Sequence, residues 1–72
     1  MRKAEIRREP NWSESAGPDM FYYVDLWRDG DYIGNIDVSE KSTYYRQDVV
    51  ENWENGILGE DNEHIVKFDK SS

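Results

Sequence analysis

The strongest constraint on what this chain can fold into lies between residues 20 and 38, which read as a β-hairpin. Phe21-Tyr22-Tyr23-Val24-Asp25-Leu26-Trp27 is aromatic and β-branched, the composition that pleated, half-buried strands prefer. Asp29-Gly30 follows, a pair in which both central turn residues accept φ > 0. Tyr32 to Val38 returns as the second strand. A two-residue turn sets Trp27 opposite Tyr32, Tyr23 opposite Ile36 and Phe21 opposite Val38, with Asp25 opposite Gly34 on the same face. The other face carries Tyr22, Val24, Leu26 and Ile33 with Asn35 and Asp37. Both faces are partly apolar. One is expected to cover a helix, and the other is left for a partner.

The helix is predicted over residues 42–56. Ser39-Glu40-Lys41-Ser42-Thr43 offers several N-cap hydroxyls. Tyr45, Val49, Val50, Trp53 and Ile57 then form an apolar stripe at helical spacing. Tyr44, Gln47, Asp48, Glu51, Glu54 and Asn55 fall on the opposite side. Arg46 lies within the stripe and is expected to pack its stem and keep its head in water. Asn55-Gly56 is a plausible C-cap. The stripe is expected to pack on the hairpin face that carries Phe21, Tyr23, Ile36 and Val38. Residues 59–63 form an acidic loop, and residues 64–69 alternate as a short last strand. Residues 1–19 read as an N-terminal arm and loop, in which Ala4–Arg8 is a candidate extra edge strand. Trp12 is either a lid on the core or an exposed contact. The fold class is α+β, in the order β-β-α-β, with one amphipathic helix on one face of an antiparallel sheet.

Seventy-two residues make one small domain, with marginal stability expected at that size. There is no Cys, so neither a disulfide nor a thiolate metal site can form. No apolar run is long enough to span a bilayer and no signal-peptide pattern opens the chain, which together suggest a cytoplasmic protein away from membranes. Without a secretory signal, the triplet Asn11-Trp12-Ser13 is not expected to carry a glycan. Mean hydropathy is low, at −1.03. Ten aromatic residues nevertheless argue for a folded core, because disordered chains are poor in them.

Charge speaks to partners rather than to fold. The chain holds 9 basic and 16 acidic side chains, a net of −7. Residues 1–8 are basic, with Arg2, Lys3, Arg7 and Arg8 against Glu5. Residues 9–66 hold fourteen acids against Arg28, Lys41 and Arg46, a net of −11. Such a field repels nucleic acid and attracts a basic surface. The candidate contact residues are Asp48, Glu51 and Glu54 on the helix and Glu60, Asp61 and Glu63 in the loop after it. Helix positions three apart set their Cβ atoms about 5–6 Å apart. That is close to the phosphate repeat of a nucleic-acid strand, so a rigid acidic face can compete for a Lys/Arg-lined groove.

Other chemistries are poorly supplied. Histidine-based catalysis would rest on His64 alone, and no Gly-rich loop cradles a phosphate, so no enzyme and no cofactor are expected. Asp29 to Glu40 has the acid spacing of an EF-hand loop. However, Ile33 stands where a ligand oxygen is needed and the upstream segment is β-rich, so no metal site is expected. Exposed hairpin aromatics can stack bases, but such platforms have basic surroundings, and here Asp25, Asp29, Asp31 and Asp37 crowd the hairpin.

The order of hairpin, Ser/Thr-rich helix start, amphipathic helix with a late Trp53 and short strand over His64–Phe68 resembles several small acidic phage-encoded inhibitors. These include anti-CRISPR proteins and phage inhibitors of host RNA polymerase. The resemblance covers residues 20–68 as architecture and charge, with no motif residue carried across. It implies a stoichiometric protein that docks, as a nucleic-acid mimic, on a basic channel of a host nucleic-acid machine. A small accessory subunit that uses its second apolar hairpin face, in a complex or a homodimer, is the alternative.

Overall fold

The computed structural model describes residues 1–13 and 17–69; the side chain of Trp12, read above as lid or contact, lies outside the described set. The elements are β1 (Arg2–Ser13), β2 (Gly17–Arg28), β3 (Asp31–Asp37), α1 (Thr43–Glu54) and β4 (Val66–Lys67). The four strands form one antiparallel sheet in the order β1-β2-β3-β4, and α1 covers one of its faces. The fold is therefore small α+β, as expected, with the additional N-terminal edge strand present. That strand is far longer than Ala4–Arg8. The ladder between β1 and β2 runs from Arg2 opposite Arg28 to Ser13 opposite Gly17, so residues 10–13 and 17–19 are strand rather than loop.

The β2–β3 turn is built as the sequence suggests, with Asp29 at φ 51° and Gly30 at φ 85°. The register beyond it is not. Trp27 faces Tyr32, but Leu26 faces Gly34, so Ile33 is an extra residue on β3. This bulge moves every later pairing by one: Asn35 faces Asp25, Ile36 faces Val24 and Asp37 faces Tyr23. A shift of one residue exchanges the faces of a strand. Ile36 thereby joins Val24 and Leu26, and that is the face α1 covers. The expectation that the helix packs on Phe21 and Tyr23 is corrected accordingly.

The buried core consists of Ala4 from β1, Val24 and Leu26 from β2, Ile36 and Val38, Val49 and Trp53 from α1, and Ile65. Ser42 caps α1, its hydroxyl accepting the Tyr45 N–H at 3.1 Å. The helix stops at Glu54. Gly56 follows at φ 79°, and the N–H groups of Ile57 and Leu58 both donate to the Asn52 carbonyl. Ile57 thus lies beyond the helix and is 73% exposed, and Tyr45 is exposed as well, so the stripe is shorter than its spacing implied. Trp53 is fully buried, and its indole Nε1–H donates to the Trp27 carbonyl at 2.9 Å. Arg2 stacks on the Trp53 ring at 4.1 Å and donates to the Leu58 carbonyl. Arg46 lies 3.6 Å over the Tyr22 ring and donates to the carbonyls of Val38 and Ser39. Its head is therefore bonded to the chain through Nε and Nη2 as well as stacked on a ring.

The last strand is shorter than residues 64–69, pairing only through Gly34 opposite Lys67 and Asn35 opposite Val66. Gly34 has φ 153°, and a Cβ built there would overlap the Val66 carbonyl oxygen. The missing side chain lets β4 approach.

Candidate protein-binding surfaces

Three surfaces combine exposure with definite chemistry. The first is the outer face of α1 and the loop that follows it. Asp48 and Glu51 are exposed there, one helical turn apart, and among the described residues neither has an ion-pair partner. Glu54 is also exposed, but its carboxylate turns to the sheet and accepts the Ala4 N–H at 3.3 Å. Glu60 is drawn furthest from the expected cluster. It is half-buried, and both its carboxylate oxygens accept from Arg28 Nη1, with Arg2 Nη2 at 4.0 Å. This contact raises the Arg28 pKa above its ordinary value. Asp61 and Glu63 stay exposed, with Glu63 3.8 Å from His64 Nε2. Of the six candidate acids, Glu54 and Glu60 therefore bond distant parts of the chain, whereas Asp48, Glu51, Asp61 and Glu63 are exposed and Glu63 lies beside its neighbour His64.

Charge is partitioned by the fold. Arg2, Arg7, Arg28 and Arg46 are all turned to partners within the chain: Trp53, Asp25, Glu60 and Tyr22 respectively. Arg8 is the remaining arginine, and it is exposed. The basic minority is largely spent on internal contacts while much of the acid points outward.

The second surface is the sheet face opposite α1. A row of aromatic rings crosses it. Trp27 and Tyr32 have centroids 5.5 Å apart, and Tyr32 meets Phe68 edge-on at 5.3 Å. Lys3 lies 5.6 Å over Trp27 and Arg7 lies 4.7 Å over Tyr23. Beneath them is a polar network. Arg7 Nε donates to Asp25 Oδ2 at 2.8 Å, the Tyr32 hydroxyl donates to Asp25 Oδ1 at 2.9 Å, and Asn35 Nδ2 donates to the Tyr32 oxygen at 3.1 Å. Burial is the main cause that raises the Tyr32 phenol pKa; its bond to Asp25 adds to this and the Asn35 bond opposes it. Sequence reasoning missed this network because it set Asp25 opposite Gly34. The signal available was the alternation of Lys3, Glu5, Arg7 and Glu9, whose period of two marks a strand with one charged face.

The third surface is the outer edge of β1. Ala4, Ile6, Gln47, Val50, Glu51 and Glu54 line an open groove of about 380 Å³ between this edge and α1. Elsewhere, the EF-hand-like stretch is taken up by turn and strand, and among the described residues no cluster of three His, Cys, Asp or Glu side chains is placed to hold a metal. No helix among them is long and apolar enough to cross a membrane. No family model, curated protein or solved structure matches the chain.

Proposed function

We propose that this chain is a non-enzymatic acidic binding module that inhibits or regulates a nucleic-acid-processing protein by occupying its basic surface. The supporting observation is the uncompensated pair Asp48 and Glu51 on a capped helix, in a fold that turns four of its five arginines to internal partners. A rigid helix presents its charges without the entropy cost of ordering a loop. The exposed loop acids Asp61 and Glu63 extend the same field. Glu54 and Glu60 act in this reading as supports for the fold.

The test is charge reversal. Asp48→Lys combined with Glu51→Lys should leave the fold intact, because both side chains are exposed. Capture of partners from lysate by the immobilised chain should then be lost, and the parent's capture should weaken with salt as its charges are screened. Equal capture by the folded reversal variant would leave the helix face as a solvated surface only. A second reading is favoured by the aromatic row Trp27, Tyr32 and Phe68, with Phe68 52% exposed: an accessory subunit that docks through the open sheet face. Partner capture that ignores salt and the helix reversal but is lost in Phe68→Ser would select that reading.

A further inference from the structure

The outer edge of β1 has a specific form. In the antiparallel ladder each residue directs its N–H and C=O to the same side. The Met1 carbonyl accepts the Asp29 N–H at 2.8 Å, so odd residues of β1 face β2; the Ala4 N–H points the other way, to Glu54. Ile6 and Arg8 therefore present their backbone groups at the sheet edge. Pro10 follows in the same phase and has no N–H to offer. The accessible edge thus centres on Ile6 and Arg8, and at Ala4 the outward N–H is held by Glu54.

We propose that a second copy of this chain occupies that edge, with β1 paired antiparallel to β1 about Ile6, joining two four-stranded sheets into one. This register gives two backbone hydrogen bonds to each of three residue pairs: Ala4 with the partner's Arg8, Ile6 with the partner's Ile6, and Arg8 with the partner's Ala4. Charge selects it. On the open face, Lys3 comes opposite the partner's Glu9 and Glu5 opposite the partner's Arg7, so every charged pair is of opposite sign. Sliding two residues one way sets Glu5 against Glu5 and Lys3 against Arg7. Sliding the other way sets Arg7 against Arg7 and Glu5 against Glu9. Like charges directly opposite are destabilising, so both neighbouring registers are disfavoured.

The helix side of the edge agrees. Ile6 is 42% exposed beside Val50 and meets its own counterpart at the two-fold axis. The partner's Arg8 comes opposite Ala4, next to Glu54 and Glu51. Glu54 can then exchange the Ala4 N–H for that guanidinium. Charged residues and a proline protect many sheet edges from association. Here the charges alternate in sign, so they admit one register of this same strand. The opposite edge of the sheet is only the two residues of β4, which leaves the assembly closed as a dimer. The argument rests on β1 and does not require the function proposed for α1, although it brings the partner's Arg8 beside Glu51 of that helix.

Sedimentation equilibrium of the full chain should give a dimer. The Ile6 and Arg8 amide protons should exchange slowly at high protein concentration and faster on dilution. Lys3→Glu alone and Glu9→Lys alone each set like charges opposite one another at two places, and each should weaken the dimer about tenfold. Mixing the two variants should restore it, because each altered pair again joins opposite charges. A chain that stays monomeric to about millimolar concentration, with freely exchanging Ile6 and Arg8 amides, would overturn the proposal. So would a dimer indifferent to both charge variants and to Ile6→Pro, which removes the outward N–H at the centre of the seam without touching the β1–β2 ladder.

Discussion

Arg7 and Asp25 are diagonal neighbours across the β1–β2 ladder, and the arginine grips the carboxylate with two nitrogens, Nε at 2.8 Å and Nη2 at 3.3 Å. Asp25 is 8% exposed, on a face of the sheet that no helix covers. Its carboxylate also receives the Tyr32 hydroxyl, so β1, β2 and β3 are tied together at one charged atom group. Removing one partner of a hydrogen-bonded charge leaves the other poorly solvated. Arg7→Ala should therefore cost about 1–3 kcal/mol. The shift of the urea midpoint measures it, and a midpoint equal to the parent's would mean that water replaces the guanidinium without loss.

The indole of Trp53 fills the centre of the core and donates to the Trp27 carbonyl. Trp53→Ala should cost about 3–5 kcal/mol, a large part of a small domain's stability. Trp53→Phe should cost less, because it keeps a ring in the core and gives up the hydrogen bond. Thermal or urea unfolding of the two variants separates packing from the bond. Equal losses would show that the bond carries most of the effect.

Gly34→Ala forces a methyl group against the Val66 carbonyl at a φ that side chains rarely adopt. The expected outcome is detachment of β4, at a cost of about 1–3 kcal/mol. Amide exchange is the direct measurement. The Phe68 N–H, which donates to the Ile33 carbonyl at 2.9 Å, should lose protection while amides of the β1–β2 ladder keep theirs.

The Tyr32 phenol has its pKa raised, chiefly by burial. A group with a raised folded-state pKa contributes stability that is complete below its unfolded value, near 10, and that is lost as pH rises through the folded value. Stability should accordingly fall on the alkaline side, above about pH 10, with a steeper slope in the parent than in Tyr32→Phe. Melting temperature against pH for the two proteins provides the comparison, and parallel alkaline limbs would refute it.

The hairpin, the helix start at Ser42 and the stop near Gly56 were legible because each depends on a few adjacent residues. The face the helix covers was not. It depends on Ile33, an apolar β-branched residue that suits a strand as well as a bulge, and whose status is decided by Gly34 meeting Val66 from a segment thirty residues later. β1 was legible only over Ala4–Arg8, because among its described side chains Ala4 and Ile6 are the apolar ones beside α1 and because Pro10 reads as a breaker. On an edge strand that proline loses no bond to β2. The acids Glu54 and Glu60 were expected to face a partner, yet they serve Ala4, Arg2 and Arg28. Those donors are distant in sequence, so their proximity could not be read from spacing. The exposed positions of Asp48 and Glu51 followed from helical period alone.

The stacking of Arg2 on Trp53, and its bond to Leu58, bears on the order in which the chain can mature during synthesis. The first strand leaves the ribosome long before the residues that cover its inner side. At roughly 5–20 residues per second, Leu58 follows Arg2 by roughly 3–11 s. In that interval β1 and β2 can pair, but Ala4, Val24 and Leu26 have no lid. Nascent chains of this protein should therefore be most vulnerable to chaperone capture and proteolysis in the last seconds before α1 arrives, and a truncation that removes the segment after Asn52 should persist as an open sheet rather than as a smaller version of the fold.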